Sequence, residues 1–367
     1  MIDYVEARNA NFEVIGILDT AQSVIWHSVY YGVGDFQIYI RLTDAIQIIG
    51  EAHYITRSDN TEVGVIESIL IADDIESGKM ITIKGRFAKS LLDRRIIYTL
   101  SGTSNKATIL RGKVETEVRR LVNENAIASR SLGVLELGAV AGISKIIVDE
   151  NGAAAEKQVS YDNLLDYTEA VLKEYGIAST VKLSNNKLQY TVYEGTDRSA
   201  DNADGNQPIV FSKEFDNLLS SEYVHDSTLE KNVALIGGEG EGIDRFCVLL
   251  GAQSGLRRKE VFVDASSIAK KYKDENEVEK TYTDAEYTAM LKAHGHQVTS
   301  AMTVSEDFNG AIDITNGNWK YGEEVFLGDI VTVQDNDIGV FKNVRLAEVT
   351  EYQDEDGYSV EAVYQGE

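Results

Sequence analysis

Proline and cysteine are almost absent from this chain, with one of each, Pro208 and Cys247. A single thiol excludes an intramolecular disulfide and a cysteine-rich zinc site, so the fold rests on packing alone. With one proline against 30 glycines, turns must be made mainly from Gly, Asn and Asp. Basic charge is also scarce: 35 Lys and Arg face 60 Asp and Glu, for a net charge of −25. A field of that sign repels phosphate backbones and anionic membranes and disfavours sequence-reading of nucleic acid. No apolar run approaches the roughly 20 residues of a membrane span. The N-terminal Met1, Ile2, Asp3, Tyr4, Val5 and Glu6 lack the basic and apolar segments of a secretory signal. The expectation is a chain made and kept in the cytosol, or in something assembled there.

What is present points to a folded, multi-unit protein. Hydrophobic residues make up 43% and charged residues 26% of 367 positions, enough to bury more than one core. Residues 1–100 alternate apolar and polar side chains with period two, as in Val33–Leu42 and Met80–Gly85, which predicts a half-buried antiparallel sheet. From about 112 the period changes. Val114, Val118, Leu121, Val122 and Asn125 fall at helical spacing beside Arg119 and Arg120. A second helix is predicted over Asp162–Tyr175, stopped by Gly176. An apolar strand is expected at Ile143–Asp149 and two more at Thr180–Leu183 and Leu188–Tyr193. The polar stretch 196–208 marks a connection.

Strand patterns return at Val233–Ile236, Phe246–Leu250 and Glu260–Val263. Thr283 and Glu286 form a capping-box pattern ahead of a short helix ending near Gly295. Strands close the chain at Glu324–Val333, Lys342–Glu351 and Tyr358–Tyr364, with a hairpin turn at Asp354–Gly357. The acidity is uneven: residues 268–367 hold 8 basic and 21 acidic residues, net −13.

Motifs for chemistry are weak. Gly237–Gly242 follows a strand but lacks the Gly-Lys-Ser/Thr and helix of a phosphate loop, so it reads as a hairpin turn. Asp201, Asn202, Asp204 and Asn206 have calcium-type oxygens but not the spacing of an EF-hand. His294 and His296 flank Gly295 after the predicted helix, where a helix C-terminus favouring imidazole charge explains them better than zinc does. Gly251, Ser254 and Gly255 miss the nucleophile-elbow register. Cys247 sits in an apolar strand, where a buried, inert thiol is the common case. No catalytic residue, cofactor or metal is assigned. The basic clusters Arg94–Arg95, Arg119–Arg120 and Arg257–Lys259 are either cations for carboxylates across a subunit contact or intramolecular surface pairs; the sequence leaves both open.

Read in order, the chain resembles the siphophage and prophage tail-hub family, also described as baseplate-hub or N-terminal tail-associated proteins. The matching stretches begin with Ser23–Trp26, Gly34–Tyr39, Ile83–Arg86 and Leu91–Ile97. They continue through Arg120–Val122, Val192–Arg198, Pro208–Ser212 and Phe215–Leu218. The last are Asn232 with Gly237–Gly240, Arg245, Glu260–Ala265 and Leu327–Asp329. Each is short; their order across nearly the whole chain carries the resemblance.

The resemblance implies an α+β, β-rich fold of two β-barrel-like tube domains, each with a smaller mixed α/β domain. The expected divisions are 1–105 (completed by part of 187–209) and 210–265 plus 320–367 for the tubes, with 106–190 and 266–319 as inserts. It further implies a homotrimeric ring at the tail tip, assembled in the bacterial host cytoplasm. Its partners would be the distal tail protein ring, the tape-measure protein and receptor-binding or fibre proteins, with DNA in transit only. Arg94, Arg95, Arg257 and Arg258 are the expected subunit-interface residues. Longer relatives carry hydrolase or fibre regions, whereas this sequence resembles the hub core alone. A glycan- or receptor-binding module is the alternative function, and a cell-wall hydrolase a more distant one.

Overall fold

The computed structural model describes residues 2–366 except 3, 47, 49, 76–77, 102–103, 150–151, 218–219, 221, 274–277, 312–318 and 338. Leu218, the end of one family-like stretch, lies outside the described residues, as does part of the expected 266–319 insert. Alternation in the first hundred residues is realised as predicted. Val24, Trp26 and Ser28 on strand Ser23–Val29, and Phe36, Ile38 and Ile40 on Asp35–Arg41, all point inward. Their core extends to Val5, Ile55, Ile81, Ile83 and Phe87.

A single 13-stranded sheet runs through both β-rich halves. Its spatial order is Glu222–Asp226, Ser305–Ala311, Gly357–Gly366, Val340–Asp354, Ser23–Val29, Asp35–Arg41, Gly78–Phe87, Val63–Asp74, Tyr54–Arg57, Val5–Arg8 and Val14–Ile17. Ile330–Asp335 lies beside the first part of Val340–Asp354, and Val210–Ser212 runs parallel to it. The 15-residue strand Val340–Asp354 is the spine, long enough to serve both halves. Residues 340–345 pair with Ile330–Asp335, residues 348–353 with Ser23–Val29, and the opposite edge with Gly357–Gly366. A bulge at Ala347 separates the two pairings and re-aims the strand, while the Ala347 carbonyl accepts from Tyr30 N at 2.8 Å. Among the described residues no sheet closes on itself.

The mixed unit forms a core of its own. Helices Val114–Val122 and Leu164–Glu174 pack Val118, Leu121, Val171 and Leu172 against Leu188 and Tyr190 of the three-stranded sheet Leu135–Leu137, Lys187–Tyr193 and Ala178–Ser184. Ile143–Asp149 is not a strand: it makes only isolated bridges, Lys113 with Ile146 and Val148 with Ala154. The Glu115 carboxylate takes the amides of Ala141, Gly142 and Ile143, giving this segment a side-chain anchor instead of a ladder.

Four further expectations shift. Residues 233–265 do not join the closing strands. Ala234, Ile236, Val248, Leu250 and Val263 pack with Tyr287, Met290 and Leu291 of helix Asp284–Thr299, so one core spans the expected division at 265/266. The stretch 187–209 does not complete the first half either. Lys187–Tyr193 belongs to the mixed sheet, while Asp197 bridges Ile330 and Ile209 joins the core of the closing strands. The capping box at Thr283 and Glu286 forms, but the helix passes Gly295, whose missing Cβ admits Ile236. In the closing part, strand structure starts only at Ile330, because 320–329 is folded into turns.

Candidate functional site

The sequence motifs for chemistry are absorbed by local structure. In the glycine turn, Gly238 N donates to Phe246 O at 2.8 Å and Glu239 N to Tyr287 Oη at 2.8 Å, and a strand follows. The turn reading holds. Asn202 Oδ1 accepts from Asn206 N, and Asp201 accepts from Asn343, so this loop is tied to itself and to the spine. His294 and His296 lie inside the helix, not after it. At i and i+2 they do not share a face; His296 stands in the last turn, as the C-terminal reading requires, whereas His294 lies further in and burial lowers its pKa. Cys247 is exposed, contrary to expectation, because its side of the strand faces away from helix Asp284–Thr299. Among the described residues no group of three or more His, Cys, Asp or Glu is arranged to hold a metal.

The arginines divide. Arg119 is buried and donates to Gly138 O and Ala139 O, and Arg120 pairs with Glu117 and Glu124. Both are intramolecular. Arg95 donates to Arg130 O at 2.8 Å, and Arg258 to Glu260 and to Gln253 O. Arg94 and Arg257 are exposed, and no ion pair engages either among the described residues.

The dense polar site lies elsewhere, at the junction of the two halves and the mixed unit. On the seam, Trp26 stands opposite Glu351 in register. Arg57 Nη1 and Nη2 donate to Glu351 at 2.7 and 2.9 Å, and its Nε and Nη2 to Asp59 at 2.9 and 2.6 Å. Side chains of Arg57 and Glu351 are 2% and 5% exposed, so this is a buried ion pair, and Tyr358 Oη donates to Glu351 as well. Burial works against the Arg57 charge, but the hydrogen bonds to Asp59 and Glu351 outweigh it and hold the guanidinium protonated. Glu62 accepts from Trp26 Nε1 at 3.1 Å and from Ser28 Oγ. Burial pushes its carboxyl upward against the effect of those donors.

Two family-like stretches meet at this junction although Arg198 and Asp329 stand 131 positions apart. Thr196 N and Arg198 Nε donate to the two oxygens of Asp329 at 2.9 and 3.0 Å, and Ile330 N donates to Thr196 O. Gly195 packs directly on the Gly328 carbonyl, while Gly328, at φ +95°, leaves room for the Tyr30 ring. Tyr30 Oη accepts from Gly195 N, and Arg345 stacks over Tyr30 at 4.9 Å. Beside this contact opens a cavity of about 800 Å³ whose wall includes Glu62, Lys182, Tyr193, Tyr321 and Glu351.

His27, on the seam's outer side, bridges the halves, with Nδ1 3.1 Å from Asp35 and Nε2 2.9 Å from Glu348. The Glu348 hydrogen bond chiefly, opposed by burial and aided by Asp35, raises His27 to about 9. The folded-state value lies above the unfolded one. The stabilisation is therefore complete below about 6.5 and withdrawn as pH rises to about 9. Wild-type protein should lose about 2 kcal/mol between pH 6.5 and 9, after allowance for partly exposed carboxylates. His27→Gln should show a flatter profile in urea titrations; equal slopes would remove His27 from the account.

Comparisons with known proteins agree with this architecture. The tail protein from Neisseria meningitidis MC58 superposes with a TM-score of 0.57 at 12% identity, covering 99% of this chain and 96% of that one. The prophage MuSo2 43 kDa tail protein from Shewanella oneidensis gives 0.58 at 11% identity, with 98% of each chain covered. Prophage tail protein gp18 from Listeria monocytogenes EGD-e gives 0.51 at 12%, covering 100% and 94%. No curated protein matches in sequence. Residues 4–364 match the Siphovirus ReqiPepy6 Gp37-like protein family. The fold is thus shared with solved tail proteins, and the chain belongs to the Siphovirus ReqiPepy6 Gp37-like protein family.

Proposed function

We propose that this protein is a structural, non-enzymatic hub at the tip of a phage tail. Three copies would close a ring between the tail tube and the host-recognition parts, and the genome would pass through it. The observation that carries this reading is the shared spine: one 13-stranded sheet joins the two β-rich halves through hydrogen-bonded neighbours, with mixed units attached. Each half would act as one tube segment, so three chains would present six segments. Adjoining partners would be a distal tail ring, the tape-measure end and receptor-binding or fibre proteins, within the virion. The net charge of −25 suits a channel wall that does not hold phosphate.

Light scattering after size exclusion tests the ring. A species near three times 40.5 kDa, alone or once a distal tail protein is added, is expected; a monomer under both conditions would sink the reading. Arg94 and Arg257 are the cations we assign to the subunit contacts. Arg94→Glu and Arg257→Glu should each lower the trimer fraction while leaving the monomer's unfolding free energy from urea titration within about 0.5 kcal/mol. Arg95→Glu, which strips two loop carbonyls of their donor, should lower the monomer midpoint itself. Equal losses of assembly and folding in all three would point to purely internal roles.

A further inference from the structure

The junction cavity carries more charge than its own partners neutralise. Its wall holds six acidic groups and two basic ones. Arg57 is consumed by Glu351 and Asp59, Asp329 is matched by Arg198, and Glu194 by Lys145 at 2.6 Å. Glu62 is left. It has hydrogen-bond donors in Trp26 and Ser28 but no cation at ion-pair distance among the described residues. Lys89, a further cation near Glu62, is spent on Glu169 at 2.9 Å and on Ser179 O. A desolvated carboxylate without a counter-charge is costly, so the site gains most from a ligand that brings one.

The remaining wall suits such a ligand. Tyr193 and Tyr321 line the cavity, both are strongly desolvated, and both lie within electrostatic range of Glu62. Neither hydroxyl makes a hydrogen bond among the described residues. Aromatic faces beside a carboxylate attract alkylammonium and guanidinium groups. About 800 Å³ is in the range of a ligand site and exceeds what one water or ion needs. The walls come from all three bodies: Glu62 from the first half, Tyr193 from the mixed unit and Tyr321 from the second half.

We propose that this cavity receives one basic side chain, lysine or arginine, from a polypeptide docking over the junction, its charge seated on Glu62 and its stem along Tyr193 and Tyr321. Filling it would fix the three bodies relative to one another, so that docking stiffens the hub. The inference does not depend on ring formation, because the cavity is complete within one chain.

The test uses the full chain with Trp319→Phe, so that Trp26, hydrogen-bonded to Glu62, reports alone. Probes are the blocked tripeptides acetyl-Gly-Lys-Gly-amide and acetyl-Gly-Arg-Gly-amide, with the norleucine analogue and n-butylammonium as comparisons. A saturable emission change with the Lys or Arg peptide is expected, weaker by about tenfold in Glu62→Gln. That amide preserves an acceptor for Trp26 and Ser28. Tyr321→Leu, which removes the aromatic face, should also weaken binding, and the exposed turn variant Glu355→Gln should not. Absence of saturation, equal affinity for the norleucine peptide, or unchanged affinity in a folded Glu62→Gln would overturn the proposal. Tighter binding of n-butylammonium than of both peptides would overturn the polypeptide source. If Glu62→Gln fails to fold, Tyr321→Leu and the norleucine comparison still decide.

Discussion

Arg57→Met is expected to lower unfolding stability by about 3–5 kcal/mol, because it leaves Glu351 buried at the seam without its counter-charge. The loss comes from desolvation more than from lost attraction. Glu351 retains one donor, Tyr358, which is too little to replace a bidentate guanidinium. The double variant Arg57→Met with Glu351→Leu should recover most of the loss, since removing both charges removes the penalty. Urea midpoints of the wild type, two single variants and the double variant form the cycle. If the single variants lose less than about 1 kcal/mol, the pair behaves like a surface bridge and the seam rests on backbone pairing alone.

Gly195→Ala should be almost as severe, with a loss near 3 kcal/mol, the upper end of the usual range for overpacking. An added Cβ would lie 1.8 Å from the Gly328 carbonyl oxygen and 2.2 Å from its carbon, where no side chain exists to swing aside. Relief requires moving the 195–198 segment off Asp329, which breaks the hydrogen bonds from Thr196 and Arg198. The expected signature is lower stability together with faster proteolysis of the adjoining 199–208 loop. Gly205→Ala is the control: its φ of +72° costs about 1–2 kcal/mol, but its Cβ meets nothing. Equal proteolysis of the two variants would show that the Gly195 contact does not hold the mixed unit to the second half.

How much of the junction was legible depends on the residue. Gly195, Arg198, Gly328 and Asp329 stand in family-like stretches, but nothing in either stretch says that they touch. Glu351 left a usable trace: counted from Val349 it occupies an inward position of an alternating strand, where a carboxylate demands a partner. Arg57 left a weaker one, at the end of a strand whose four residues are all buried. His27 and Glu62 left none, since His27 is a polar residue on the outer face of its strand, where polar residues are expected, and Glu62 one of many just before a strand. Gly295 misled in the opposite direction. It looked like a helix stop and proved to be the place where the helix admits Ile236.

By itself, the sequence determined what depends on neighbours in the chain. The alternation of Ser23–Val29 and Asp35–Arg41, the spacing within Val114–Val122 and Leu164–Glu174, and the capping box at Thr283 are decided within a few residues, because periodicity and end chemistry are local. It also determined the acid excess and the absence of disulfides. Tertiary structure alone decided that Val340–Asp354 meets Ser23–Val29, more than three hundred residues away. An alternating strand would satisfy its hydrogen bonds on many edges. Which edge it takes depends on burying all its inward residues at once, Glu351 with Arg57 among them, and that condition exists only when the whole chain has closed.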